Sequence, residues 1–172
     1  MSERKQAESF LAQQKRILEL ISQDSASLHQ ILEEIVVVVE SQTENLRGSI
    51  LLLKGNALHI STAPNVPDDY NVLIEGLEIG PTAGSCGTAV FTQQRVVVED
   101  IQQDSRWVSY RHLGASYNFS ACCSDPIADS SGEMLGAFAL FYSKVTVPTP
   151  KEIQLVESLS QIASLAIERN HT

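Results

Sequence analysis

Three groups of residues have types and spacing suited to chemistry. The first is Gly80-Pro81-Thr82-Ala83-Gly84-Ser85-Cys86-Gly87-Thr88-Ala89-Val90. Gly80 and Pro81 open a turn, and Gly84 and Gly87 permit positive φ or close backbone approach where an apolar helix begins. The unpaired N–H groups of a helix start can bind an anion or a polar ligand group. The plainer reading is a tight strand-to-helix connection whose small residues let the helix sit close to a sheet. No Lys-Ser or Lys-Thr pair follows the last glycine, which argues against a phosphate-binding loop of the nucleotide type. Cys86 lies at the predicted helix start, where the dipole favours a thiolate. Its alternative role is that of a small buried apolar residue.

The second group is Trp107, Tyr110 and Arg111 on a predicted short helix. Trp107 and Tyr110, three apart, share a face, and Arg111 borders it. Aromatic walls with one guanidinium suit a small organic anion; the alternative is an aromatic lid packed on a sheet, with Arg111 in water. The third group is Cys122 and Cys123, adjacent in a predicted strand and therefore directed to opposite faces, so at most one of them lines a pocket. None of His29, His59 or His112 lies at zinc spacing from these cysteines, and no metal site is expected. No carboxylate pair at constrained spacing and no Ser/His/Asp arrangement stands out.

Composition narrows the partners. The 172 residues suffice for one domain with a real core. Twelve basic residues against twenty-one acidic give a net charge of −9, and no basic cluster exceeds Arg4-Lys5, which argues against nucleic acid and anionic membrane surfaces. The apolar runs 35–39 and 135–142 are too short to span a bilayer, and the polar start Met1-Ser2-Glu3-Arg4-Lys5-Gln6 is unlike a signal peptide. Three cysteines fit a reducing compartment, so a cytoplasmic location is expected.

The elements that must position these groups follow from pattern. Residues 3–22 carry one narrow apolar stripe at helical spacing. Ser27 and Gln30 form a capping-box pair opening a second helix that continues through the run Val36–Val39 despite its β-branched residues. Residues 49–53 and 57–61 form a hairpin about Lys54-Gly55-Asn56, and Asp68 or Asp69 caps a short helix through Ile74. Residues 95–99 read as a strand, and Asp104 and Ser105 offer caps for the helix bearing Trp107. Residues 120–128 and 134–142 form a second hairpin, its nearly continuous apolar strand placed centrally. Thr149, Pro150 and Glu152 open the last helix. Its apolar positions read either as two stripes, one left for a partner helix, or as one wide core-facing stripe. The whole is an α+β domain on an antiparallel sheet.

Five segments together resemble the GAF domain, the ligand-sensing module of bacterial signalling proteins. They are Gly80-Pro81-x-x-Gly84-Ser85-Cys86-Gly87-Thr88-Ala89, Val96-Val97-Val98-Glu99-Asp100-Ile101, Asp104-x-Arg106-Trp107-x-x-Tyr110-Arg111, Ala121-Cys122-x-Ser124-x-Pro126-Ile127 and Gly132-Glu133-x-Leu135-Gly136. The chain looks most like the GAF domains of sensor histidine kinases and diguanylate cyclases. It departs from them at Ser120, where an arginine is usual, and at Cys123, where a tryptophan is usual.

The resemblance implies a sheet of five or six antiparallel strands with the terminal helices on one face and a ligand pocket on the other. It implies an N-terminal signalling or dimerisation helix over 1–24, a GAF domain over 25–170, and a homodimer through the terminal helices. Candidate ligand-binding residues are Cys86, Gly87, Trp107, Tyr110, Arg111, Ser120, Cys122 and Phe138. The implied function is non-enzymatic sensing of an unidentified small molecule, passed to a histidine kinase or diguanylate cyclase. The final residues 166–172 stop where such domains run on as a signalling helix, implying either a piece of a longer sensor or a stand-alone module.

The alternative is a docking module with a vestigial pocket, which the departures at Ser120 and Cys123 motivate. A third reading is the GAF-like branch that reduces free methionine sulfoxide, since Ser85-Cys86-Gly87 resembles its Gly-x-Cys-Gly element. Its His-x-x-Cys-Asp motif is here His112-Leu113-Gly114-Ala115-Ser116, with Ala115 where the nucleophilic sulfur belongs. Bilin attachment resembles a Cys-His pair, whereas Cys86 precedes Gly87 and Cys123 precedes Ser124. The Asn-Lys-Phe-Asp-Glu constellation of cyclic-nucleotide GAF domains is not found.

Overall fold

The computed structural model describes residues 2–23, 26–43 and 45–171, so the expected division between residues 24 and 25 lies outside the described residues. In chain order the elements are α1 (Glu3–Ser22), α2 (Leu28–Gln42), β1 (Leu46–Lys54), β2 (Ala57–Thr62), α3 (Asp68–Ile74), β3 (Leu77–Glu78), α4 (Gly84–Thr92), β4 (Val96–Val98), a 3-10 turn (Ser105–Trp107), α5 (Arg111–Tyr117), β5 (Ala121–Ala128), β6 (Met134–Tyr142) and α6 (Pro150–His171). The six strands form one sheet in the order β3-β2-β1-β6-β5-β4, and every neighbouring pair is antiparallel. This is the expected α+β architecture, with α1, α2 and α6 packed together over one face.

Helix boundaries follow local chemistry. Ser27 Oγ accepts from the Gln30 N–H while Gln30 Oε1 accepts from the Ser27 N–H, completing the capping box of α2. The valine run stays helical because Val36, Val38 and Val39 are buried in the helix-side core. Burial there outweighs the modest helix penalty of β-branched residues. Thr149 and Glu152 exchange the same reciprocal bonds at the start of α6, and Glu152 Oε1 also accepts from the Tyr142 hydroxyl at 3.1 Å. Along α6, Leu155, Val156, Leu159, Ile162, Ala163, Ala166 and Ile167 are all buried, which makes one wide core-facing stripe.

Three expectations need correction. The N-cap of α3 is Pro67, with no side-chain cap, and Asp68 and Asp69 lie in the first turn, where their charge still complements the dipole. The segment carrying Trp107, Tyr110 and Arg111 is not one helix: Asp104 Oδ1 caps the 3-10 turn by accepting from the Arg106 N–H, and α5 starts afresh at Arg111. The short β3, paired with β2 at the sheet edge, was not expected; two residues are too few to show a period.

Alternation along β5 and β6 separates two cores. Ala121, Ile127, Phe138, Leu140 and Tyr142 join α2 and α6, whereas Cys122, Ala137, Ala139 and Phe141 join the side bearing α3, α4 and the 3-10 turn. Arg95, just after α4, ties these layers together. Its Nε and Nη2 donate to the two carboxylate oxygens of Asp125 on β5 at 2.7 and 3.1 Å, and Nη2 also reaches Glu157 on α6 at 2.6 Å. Asp125 is buried, while the Glu157 side chain is 53% exposed. Arg95→Ala therefore leaves a buried carboxylate unpaired and should cost roughly 2–3 kcal/mol. Glu157→Ala should cost less than about 1 kcal/mol. Urea denaturation of both variants checks this, and equal losses would refute the asymmetry.

Candidate functional site

The site grows from the small-residue start of α4. Gly84 takes a φ of +68°, and Gly87 makes a close approach, since a Cβ there would collide with that of Ala83. The tight geometry seats Ser85 and Cys86, both buried, against β5 and the 3-10 turn. Trp107 Nε1 donates to Ser85 Oγ at 2.8 Å, and Cys86 Sγ lies 3.2 Å from Ser124 Oγ. Ser124 is two residues from Cys122 and shares its face of β5.

These residues floor a cavity between the sheet and α3, α4 and the 3-10 turn. Leu51, Ile74, Leu77 and Phe141 supply apolar wall, Trp107 and Tyr110 meet edge to face at 6.4 Å, and Tyr70, Ser85, Cys86 and Cys122 supply polar atoms. The cavity volume is about 30 Å³, the share of one water in the liquid. Tyr70 accounts for much of the filling. Its ring stands edge-on to Tyr117, Phe119 and Phe141 with centroids 5.5, 5.1 and 5.6 Å away.

Burial controls the titratable groups. Desolvation pushes the Cys86 thiol up to about 11, only partly opposed by its hydrogen bond to Ser124. Cys122 is raised by burial and by its neighbour Cys86, and Cys123 is pushed up to about 12 by burial and Asp125. The Tyr70 hydroxyl is likewise raised by burial. The helix-start argument for a Cys86 thiolate is overridden by desolvation.

Of the eight candidate residues, Cys86, Trp107, Tyr110 and Cys122 line the cavity. The other four do not. Gly87 packs toward Ala83, Glu78 and Leu77. Arg111 turns away, its Nη2 donating to the Asp104 carbonyl at 3.3 Å and its Nε buried without a partner, because the break before α5 reorients it. Ser120 sits just before β5, its hydroxyl donating to the Ser143 carbonyl at 3.3 Å. Phe138 is fully buried on the helix face, one residue out of phase with the cavity-facing Ala137 and Ala139.

Sequence reasoning missed Tyr70 and Ser124 as site residues. The period of β5 carried the signal for Ser124; nothing in a seven-residue helix singled out Tyr70. Among the described residues, no group of three or more His, Cys, Asp or Glu could hold a metal ion, and no helix is long and apolar enough to cross a membrane.

A family model described as GAF domain matches residues 27–167. The methyl sulfide methyltransferase-associated sensor of Methanosarcina acetivorans is 29% identical over 98% of this chain, which spans only 17% of that relative's length. Among solved structures, free methionine-R-sulfoxide reductase from Neisseria meningitidis, in complex with its substrate, superposes with a TM-score of 0.71 at 15% identity, covering 99% of this chain and 95% of that one. A domain assigned to a two-component sensor histidine kinase protein of Sinorhizobium meliloti 1021 gives 0.69 at 16% identity, covering 86% and 95%. At these identities the two structures share the fold.

The raised Cys86 and Cys123 thiols lead to a direct expectation. At pH 8, about one part in a thousand of a thiol titrating near 11 is thiolate. Ellman's reagent should find all three cysteines unreactive over minutes in the native protein and all three reactive in guanidinium. Prompt reaction of a native cysteine would refute it.

Proposed function

The chain belongs to the GAF domain family, and we propose that it is a small-molecule-sensing regulatory module that passes ligand state to an effector through its terminal helices. The observation that carries this reading is the Arg95 clamp, which links the end of α4, a cavity wall, to Asp125 on β5 and Glu157 on α6. A ligand that displaces α4 would shift Arg95, and with it α6. The similarity to a protein named as a sensor supports the same reading. A histidine kinase or diguanylate cyclase as effector, and the division into a helix over 1–24 and a sensing domain over 25–170, belong to the proposal.

The proposed module is non-catalytic. Its buried thiols are held protonated, and Ala115, where the reductase branch carries its nucleophile, is exposed on α5 rather than in the cavity. Pairing of two copies through the terminal helices is supported by α1, where Leu11 and Leu18 are 65% and 46% exposed. A groove of about 560 Å³ also runs between α1, the end of α2 and α6, with Phe10, Leu11 and Leu155 in its wall.

The docking-module alternative is favoured by one observation. The cavity is about 30 Å³, against roughly 300–1,000 Å³ for ordinary ligand pockets.

Native mass spectrometry of the purified chain, compared with its denatured mass, separates the readings. Sensing predicts a dimer carrying a non-covalent adduct; a dimer that stays free of adduct under all growth conditions supports docking. Leu11→Glu, at an exposed position, should convert dimer to monomer without lowering the melting temperature. A wild-type monomer would overturn pairing through these helices.

A further inference from the structure

The cavity wall narrows the class of ligand, an inference that rests on the sensing reading. No Lys, Arg, His, Asp or Glu among the described residues lines it. A charged ligand would have to shed its hydration against apolar and aromatic surface with no counter-charge, which is strongly unfavourable. That removes the organic anion suggested by the spacing of Trp107, Tyr110 and Arg111.

The polar groups of the wall are unequal. Ser85 accepts from Trp107 and Cys86 pairs with Ser124, while the Cys122 thiol is a weak donor and acceptor. Tyr70 differs: only 2% of it is exposed, its ring is fixed by three aromatic edges, and its hydroxyl makes no hydrogen bond to any described residue. Burial keeps that hydroxyl protonated, so it is a standing neutral donor and acceptor at the cavity wall. A hydroxyl without a protein partner, on a side chain this buried, favours any occupant that supplies one.

We propose that the cavity takes a small, uncharged, mostly apolar molecule, no larger than a single ring, whose one polar atom hydrogen-bonds the Tyr70 hydroxyl. The shape of the wall fits this class. Trp107, Tyr110 and Phe141 offer aromatic faces and edges, while α3, a short helix with its Val72 and Leu73 side chains exposed, carries both Tyr70 and Ile74 and can yield to admit the molecule.

Trp107 is the sole tryptophan of the chain and lines the cavity, so its fluorescence reads the site directly. Phenol, toluene and benzoate share a ring and differ in polarity and charge. The proposal expects saturable change with phenol, weaker binding of toluene, and no response to benzoate at tenfold higher concentration. Tyr70→Phe should weaken phenol roughly tenfold and leave toluene unchanged; collapse of the site would weaken both. Benzoate binding as tightly as phenol, or a Tyr70→Phe variant that weakens phenol and toluene alike, overturns the proposal and leaves sensing standing. Silence with all three probes also overturns it, while a co-purified adduct in native mass spectrometry would still uphold sensing.

Discussion

The two-residue period of β5 is the constraint on which the rest of this molecule depends. The strand is covered on both faces, so each position is committed to one of two chemistries. Cys122 faces the cavity and Ser124 meets Cys86 on the same side; Ala121 and Ile127 face the helices, and alternation places Cys123 and Asp125 with them. A slip of one residue would put a carboxylate among aromatic rings and a thiol–hydroxyl pair under α6. Arg95 helps hold the register, because its two bonds to Asp125 are made on the helix side of the sheet.

Desolvation sets what the cavity can do. A helix start and a cysteine suggest thiolate chemistry from sequence, since the dipole acts over the first turn. The dipole is a modest effect, and a thiol packed between an apolar helix and a sheet loses most of its hydration. Cys86 is therefore raised rather than lowered. The same small residues that open α4 cause this, since Gly84 and Gly87 bring the helix close enough to exclude solvent. A fold shared with a sulfoxide reductase thus coexists with a cavity whose own thiols are held protonated.

Elements were legible in the sequence where side chains repeat with a period or satisfy a cap. The capping boxes at Ser27 and Thr149, the β5–β6 hairpin and the α+β class all follow from such local signals. The site was legible only in part, for a geometric reason. Cys86, Trp107, Tyr110 and Cys122 stand in segments whose small, aromatic or sulfur-bearing residues mark them. Arg111 was assigned by helical spacing, and that spacing fails because the chain leaves a 3-10 turn at Trp107 and restarts at Arg111. Phe138 is a site residue only by the resemblance, whereas its face is decided by the register of β6. Tyr70 lies roughly fifty to seventy residues in sequence from the aromatic partners that fix it, a relation no local pattern reports.

The small cavity bears on how the proposed sensing would work. A binding site already open in the resting state has little structural change to transmit, because its ligand binds resting and active states alike. A cavity of about 30 Å³ is different: occupancy by anything larger than a water requires movement of α3, α4 or the 3-10 turn, so binding free energy is divided between contacts and displacement. The Arg95 clamp gives that displacement a direction, since α4 cannot move far without pulling on Asp125 or Glu157. Asp125 is buried in the sheet, whereas Glu157 is on the outer face of α6 and half exposed. On the proposed reading, the bidentate bond keeps the sheet register and the single, more solvated bond is the one that yields. The partition between rigid and yielding contacts thus follows from burial, the same quantity that silences the thiols.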